Sequence, residues 1–184
     1  MIGAVESLRG RLLIANGSLF DPNFRQAVIL VVEHGDEGAV GLVLNRPARI
    51  TVAEAAPVFL ALTGPAEPIF MGGPVQPDAA MVLAEVVDTE VLASTIFDHV
   101  GVLNHEPDKP HPEGIAQTRI FAGYAGWGGG QLEDELEQSS WIIEDAHVED
   151  IFSDEPEKLW ARVLRRKGGS FAMMATMPVD PSHN

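Results

Sequence analysis

Two apolar runs lie close together near the start of the chain, joined by a short polar turn. The first run, residues 27–33, is rich in β-branched side chains, and the second spans residues 39–45. The segment between them, Gly35-Asp36-Glu37-Gly38, contains the glycine and aspartate residues that tight turns favour. Two such runs around a short glycine-containing loop predict an antiparallel β-hairpin, so a sheet must form part of the fold.

Other short apolar segments predict further strands, and helical segments lie between some of them. We predict strands at residues 11–15, 69–71, 81–87, 100–104, 119–125, 141–143 and 170–176. We predict helices that begin at residues 51, 131, 147 and 156. At the first of these, Thr51 and Glu54 have the spacing of a capping box, and Pro57 limits the helix. Strands and helices do not alternate strictly, so the pattern predicts an α+β (mixed α/β) fold.

The size and the charge of the chain limit the number of domains and the kinds of partner that we expect. With 184 residues, 46% of them apolar, it can fill one hydrophobic core, and we predict a single domain over residues 1–184. Its 12 basic and 27 acidic residues give a formal net charge of −15. A field of that sign repels polyanions, so nucleic acid is an unfavourable partner.

The absence of cysteine and of long apolar runs bears on location. Without cysteine the chain has no disulfides, thiolate nucleophile or iron–sulfur cluster, and it fits a reducing compartment. Charged residues at Glu6, Arg9 and Arg11 interrupt the start of the chain, which therefore lacks the apolar stretch of an export signal. The longest apolar run, residues 27–32, cannot cross a bilayer. We predict a cytoplasmic protein that does not enter membranes.

Glycines at residues 126–130 lie between a predicted strand and a predicted helix, an arrangement that can bind phosphate at a helix N-terminus. The segment lacks the Lys-Ser/Thr pair of a P-loop and does not have G-x-G-x-x-G spacing. Glu133, Asp134 and Glu135 occupy the first turn, where they complement the helix dipole and repel phosphate. We favour a tight glycine turn with close backbone packing over a nucleotide site.

Histidine and serine give no stronger catalytic signal. His105 and His111, with nearby acidic residues at 106, 108 and 113, could hold a divalent ion, but a solvated proline-rich loop explains them equally well. None of the six histidines forms H-x-x-x-H or H-E-x-x-H. No G-x-S-x-G motif occurs, and Ser139 and Ser140 have no identified base. We therefore predict no catalytic residues, no metal ligands and no cofactor.

A cluster of basic residues near the end of the chain is a candidate site for contact with nucleic acid. Arg162, Arg165, Arg166 and Lys167 account for four of the 12 basic residues. Such a cluster can contact nucleic acid, but cations at the end of a helix also stabilise its last carbonyl groups, and Gly168-Gly169 would end that helix. Both interpretations remain open.

Several ordered motifs together resemble the YqgE/AlgH family of small bacterial proteins over nearly the whole chain. The matching segments are residues 10–15, 21–24, 33–34, 38–47 and 72–75, then Gly-Tyr-Ala-Gly-Trp-Gly-Gly-Gly-Gln-Leu-Glu at 123–133, followed by Ser140-Trp141. The resemblance implies a bent, bifurcated, largely antiparallel sheet that forms a pseudo-barrel with flanking helices. It implies no established activity, although some relatives carry the label of transcriptional regulator.

The shared motifs also suggest a ligand cleft. Its predicted lining residues are Asn45, Arg46, Gly73, Tyr124, Trp127 and Gln131, with Asp21 and Asn23 close by. Arg46, Trp127 and Gln131 would suit an anionic or planar ligand through charge, stacking and amide hydrogen bonds. The other interpretation, which the sequence favours over a cleft, is that Trp127 fills the core and the glycines only turn corners.

The sequence favours a non-enzymatic protein that binds a partner protein or a small ligand, and an acidic surface would direct it toward basic partners. The alternative is a transcriptional regulator or nucleic-acid-associated protein that uses Arg162–Lys167. The sequence identifies neither the partner nor the oligomeric state.

Overall fold

A computed structural model describes residues 6–104, 106 and 109–178 of the chain. The fold is mixed α/β, with 22% helix and 41% strand, and its sheet curls into a half-barrel with a few helices. This confirms the predicted fold class. Within the described residues no helix is long and apolar enough to span a membrane.

Ten strands and five α-helices follow one another along the described residues. The strands are β1 (Arg11–Ala15), β2 (Val28–Gly35), β3 (Gly38–Val43), β4 (Pro47–Thr51), β5 (Pro68–Met71), β6 (Val75–Val86), β7 (Leu92–Phe97), β8 (Val100–Leu103), β9 (Ile115–Gly128) and β10 (Trp141–Asp145). The helices are α1 (Val52–Ala55), α2 (Gln131–Glu137), α3 (Val148–Ile151), α4 (Leu159–Lys167) and α5 (Ser170–Met174). Short 3₁₀ turns occupy Pro57–Phe59, Thr89–Val91 and Pro156–Lys158.

The predicted hairpin is confirmed as β2–β3, with Gly35 opposite Gly38 at its turn. Gly38 has a φ of +135°, and a Cβ atom there would lie 2.1 Å from the carbonyl oxygen of Trp127. Only glycine tolerates both conditions. The turn residue thus allows β3 to lie directly against β9.

The capping box at Thr51 is also confirmed. The Thr51 hydroxyl accepts a hydrogen bond from the Glu54 backbone N–H at 3.3 Å, and the Glu54 carboxylate accepts one from the Thr51 N–H at 2.9 Å. Helix α1 is only one turn long, because it ends just before Pro57.

The sheet divides along β9, its longest strand. The order of strands is β10-β1-β2-β3-β9-β6-β8-β7, and a branch formed by β4 and β5 joins the side of β9. The last four residues of β9, 125–128, pair with β3, while its earlier part pairs antiparallel with β6 and parallel with β5. At the branch point Gly72 donates its N–H to Ala122 and accepts from the N–H of Val43.

Two predictions about local structure are wrong. Residues 126–128 of the predicted glycine loop continue β9, since Gly126 and Gly128 pair with Val40 and Gly38 of β3. Long-range pairing here outweighs the low strand propensity of glycine. The predicted strand at residues 170–176 is helical instead.

Helix α5 has a physical reason for its form. Phe171, Met174 and Ala175 all pack on the main core, and their spacing of three and four residues is that of a helix face.

The sequence does not predict strands β4 and β7, because neither segment has a marked apolar alternation.

The main core lies between the curled sheet and the C-terminal helices. Trp160 and Leu164 of α4 pack there against sheet residues such as Leu12 and Phe121. The Trp160 indole N–H donates to the Ala15 carbonyl at 2.9 Å, so the helix is also tied to β1 by a buried hydrogen bond. A second cluster on the opposite face of the sheet contains Trp127, Trp141 and Leu132 of α2.

Candidate functional site

Helix α2 is attached to the sheet by a carboxylate that accepts two indole hydrogen bonds. Glu135 Oε2 lies 2.9 Å from Trp127 Nε1 and 2.8 Å from Trp141 Nε1, and the two rings meet edge to face at 6.1 Å. Gln131 donates its side-chain amide to the other carboxylate oxygen at 3.1 Å. Glu135 thus holds both indoles in one orientation.

A second carboxylate of α2 binds a buried histidine. His34 has a side chain that is 1% exposed, and its Nε2 lies 2.6 Å from Glu133 Oε1. The other ring nitrogen, Nδ1, accepts the backbone N–H of Leu8 at 2.9 Å, so Nε2 carries the proton and donates to Glu133. Burial would raise the pKa of Glu133, but hydrogen bonds from its own backbone N–H and from His34 outweigh burial and lower that pKa.

The predicted role of these acidic residues is therefore incomplete. The sequence indicates that Glu133 and Glu135 complement the helix dipole, whereas in the structure each one binds a named group on the sheet. The partners lie up to 99 residues away in the chain, and no local pattern reveals such pairings.

A shallow groove follows the β2–β3 hairpin. This hairpin groove, of about 410 Å³, is lined by residues 33–40 and by Trp127. Glu33, Asp36 and Glu37 are exposed along it, and none of them forms an ion pair within the part of the chain that the structure describes. The hairpin groove therefore combines an aromatic wall with a concentrated negative charge.

The structure places the predicted cleft residues in three groups. Trp127 and Gln131 meet at Glu135, as described above. Gly73 lies against Tyr124, where a Cβ atom on Gly73 would be 2.1 Å from the Tyr124 carbonyl carbon. Tyr124 packs on the main core, whereas Trp127 packs in the second cluster, so the two rings lie on opposite faces of β9.

Asn45 and Arg46 form the third group and bind the segment before β2. Asn45 accepts the Val28 N–H at 3.0 Å and donates to the Gln26 carbonyl at 2.8 Å. Arg46 donates to the carbonyls of Arg25 at 2.6 Å and Pro22 at 3.2 Å, and burial lowers the pKa of its guanidinium. Both side chains thus anchor a turn in which Asp21 Oδ1 accepts the N–H of Asn23 at 2.9 Å. A ligand at any of these groups stays a prediction.

Most of the basic cluster makes bonds within the chain. Arg166 forms a two-point ion pair with Asp150, whose side chain is fully buried, at 2.8 and 2.9 Å. Hydrogen bonding to Asp150 raises the pKa of Arg166 against the opposing effect of burial. Lys167 donates to the Ile143 carbonyl at 3.0 Å, and Arg162 donates to the Ser153 hydroxyl at 2.9 Å. These bonds hold three of the four cations within the fold, but to groups outside α4 and not to the last carbonyl groups of that helix.

Of the two histidines considered for a metal site, the structure describes His111. His111 is exposed, and its Nδ1 lies 3.3 Å from the Pro112 carbonyl oxygen. His105 and Asp108, two of the residues considered for a metal site, lie outside the described residues. Among residues 6–104, 106 and 109–178, no group of three His, Asp or Glu side chains is placed to hold a metal ion.

Comparisons with known proteins agree on one family. A family model described as AlgH-like matches residues 12–172. A "UPF0301 protein" of Streptomyces avermitilis is 42% identical over 98% of this chain and 97% of its own length. Another from Mycobacteroides abscessus is also 42% identical, over 95% of this chain and 87% of its own.

Two solved structures have similar folds. A Corynebacterium diphtheriae protein superimposes with a TM-score of 0.82 at 23% identity, covering 91% of both chains, which is a likeness of fold. The solution structure of the AlgH protein from Pseudomonas aeruginosa has a TM-score of 0.68 at 30% identity and covers 97% of this chain and 98% of its own. None of these names states an activity.

Proposed function

We propose a function from the premise that the chain belongs to the AlgH-like family, whose relatives described above are not named for any reaction. The protein acts as a non-enzymatic binding protein that docks a basic segment of a partner protein in the hairpin groove. The observation that carries this proposal is that Trp127, one of the predicted site residues, lines the hairpin groove.

The charge of the hairpin groove supports a basic partner. Glu33, Asp36 and Glu37 are exposed along a groove that is also lined by Trp127, whose exposure is 7%. Arginine and lysine side chains bind such surfaces through ion pairs and through contact with aromatic rings. The net charge of −15 adds a long-range field that accelerates the approach of a cationic partner.

The state of the best candidate acid–base groups supports binding over catalysis. A general acid or base must reach its substrate, whereas His34 is buried with both ring nitrogens engaged. Asp150, a fully buried carboxylate, is held on both oxygens by Arg166. These groups stabilise the fold around the hairpin groove and the C-terminal helices.

The proposal also covers the domain organisation and the cellular location of the protein. We propose that residues 1–184 work as one domain in the cytoplasm, where the lack of cysteine fits the reducing conditions.

Fluorescence anisotropy with a labelled peptide of alternating arginine and glycine tests the proposal. Wild-type protein should bind this peptide saturably and should not bind a matched peptide of alternating glutamate and glycine. The triple variant Glu33→Gln, Asp36→Asn, Glu37→Gln should bind about tenfold more weakly, because each exposed ion pair contributes a fraction of a kcal/mol. The control triple variant Asp78→Asn, Glu90→Gln, Asp98→Asn removes the same charge elsewhere and should retain binding.

A matched pair of tryptophan variants isolates the aromatic wall. Trp127→Phe and Trp141→Phe each remove one indole hydrogen bond to Glu135, but only the first changes a residue of the hairpin groove. We expect Trp127→Phe to weaken peptide binding about three- to fivefold and Trp141→Phe to leave it unchanged. Equal effects of the two variants, or no binding by the wild type, would reject the proposed site.

A further inference from the structure

A second cavity lies on a different part of the molecule from the hairpin groove. It has a volume of about 340 Å³ and forms where residues 61–64, Glu67, His111, the start of β9 and the turn after α3 meet. Arg119 of β9 lines it, and we call it the Arg119 cavity. Its size is within the range of small-molecule sites in proteins, which begins at about 300 Å³.

Arg119 is a half-buried cation in the wall of this cavity. Its guanidinium lies 4.2 Å from the centre of the Phe70 ring, which is fully buried in the main core. It donates to the Ile151 carbonyl at 2.8 Å and to the Ser153 carbonyl at 3.1 Å. A guanidinium has five N–H donors, and these two bonds use two of them.

The charge of Arg119 has no direct partner. Over the described ranges no carboxylate approaches its nitrogens within the 4.0 Å of an ion pair, and burial lowers the pKa of the guanidinium. Glu67 and Asp154 act on it from farther away and raise the pKa. A half-buried arginine with free donors is well suited to bind a carboxylate through two parallel hydrogen bonds.

The two acidic residues of the cavity wall, Glu67 and Asp154, favour a ligand that carries a positive charge in addition to its carboxylate. Glu67 precedes β5 and Asp154 follows α3, so they stand on separate segments of the cavity wall, and both are exposed. A ligand with two negative charges would meet their repulsion. A ligand with one carboxylate and one ammonium group would be attracted at both ends.

We infer that the Arg119 cavity binds a small zwitterion with a carboxylate and an ammonium group, the chemistry of a free amino acid. The carboxylate binds Arg119, and the ammonium group lies toward Glu67 and Asp154. Apolar side chains at Leu62 and Phe152 also line the cavity and can contact the side chain of the ligand. This site is independent of the basic partner proposed for the hairpin groove.

Titration of the full-length, ¹⁵N-labelled protein by NMR tests the inference. The probes are glycine, alanine and leucine as zwitterions, with acetate supplying the carboxylate alone and methylammonium the cation alone. We expect at least one of the amino acids to shift signals of residues around the cavity saturably, including the Arg119 Nε–H, and to bind more tightly than acetate or methylammonium. Absence of saturable shifts with all three amino acids would overturn the inference.

Two variants separate a ligand site from a structural arginine. Glu67→Gln with Asp154→Asn changes only exposed carboxylates and should weaken binding of the amino acid about five- to tenfold while leaving acetate binding equal or stronger. The control Asp78→Asn with Glu90→Gln should bind as wild type. Arg119→Lys keeps the charge but loses the two-point geometry, and where its NMR spectrum shows a folded protein it should lose most of the affinity. Equal loss in the control pair, or full affinity in folded Arg119→Lys, would contradict the site.

Discussion

At the scale of single residues, the most informative side chains are those of α2. Glu135 satisfies two indole donors with one oxygen, and Glu133 satisfies the only free nitrogen of a buried histidine. Burying an indole or imidazole donor without an acceptor costs about 1–3 kcal/mol, so these carboxylates matter for stability as well as for position. The family motif that contains Trp127 thus works together with the acidic helix that follows it.

The protein should keep more of its stability when Glu135 is replaced by an amide side chain than when it is replaced by a hydrocarbon side chain. Glu135→Leu leaves both indole N–H groups without an acceptor and should lower the free energy of unfolding by about 2–4 kcal/mol. Glu135→Gln keeps one carbonyl oxygen and should cost less than half as much. Urea denaturation of the two variants measures this, and equal losses would show that the amide oxygen does not replace the carboxylate as the acceptor of the indole hydrogen bonds.

The stability contribution of Glu133 should depend on pH. Its pKa is lower in the folded protein than the ordinary 4.5, so the stabilisation is complete above that value and disappears as the pH falls through the lower, folded-state pKa. We expect wild type to be more stable than Glu133→Gln at pH 7 and the difference to shrink below about pH 4.5. Glu137→Gln on the same helix should show a smaller difference at pH 7. A gap between wild type and Glu133→Gln that grows on acidification would contradict the assignment.

At the scale of elements, the branch of the sheet depends on close backbone contact between Gly73 and residues 124–125, where there is no room for a side chain on Gly73. Gly73 has a φ of +155°, and a Cβ atom there would lie within 2.4 Å of three backbone atoms of residues 124–125. Backbone cannot move aside as a flexible side chain can, so β5, β6 and β9 could not keep their present register.

Gly73→Ala should therefore destabilise the protein far more than an alanine at Gly128, a glycine of β9. The expected loss is about 2–4 kcal/mol, from the clash and from the unfavourable backbone angle. Gly128→Ala is the control, because the nearest atom to a Cβ there is a Gln131 oxygen 4.0 Å away. Thermal unfolding of both variants gives the comparison, and similar melting temperatures would show that the backbone contact at Gly73 tolerates a methyl group.

How far the sequence predicts each element depends on where its determinants lie. The hairpin and the capping box depend on residues a few positions apart, and both predictions are confirmed. The extension of β9 through Gly128 and the helical form of α5 depend on partners far along the chain, and there the prediction is wrong. The same holds for the site, since Trp127 stands out in a motif, whereas nothing near Arg119 in the sequence marks it as a half-buried cation.

At the scale of the whole molecule, charge separates the two functions that the sequence leaves open. The excess of 15 negative charges acts on any partner at long range, while three members of the basic cluster are engaged inside the fold. A protein that binds phosphates needs several cations free to neutralise them. Both observations support the proposal of a basic partner over the nucleic-acid alternative.

We expect no binding to duplex DNA, even at low ionic strength where phosphate contacts are strongest. Gel-shift titration of a mixed-sequence duplex in about 20 mM salt is the measurement. A shift that weakens steeply with added salt and disappears in Arg165→Gln would restore the nucleic-acid alternative.

The most direct test of the hairpin groove is a residue-by-residue NMR map of the arginine–glycine peptide on the wild-type protein. The account predicts that backbone signals of residues 33–40 and the Trp127 indole N–H shift together with one dissociation constant, and that this constant increases with salt. Shifts that are confined to another face, or spread evenly over all acidic surfaces, would contradict it.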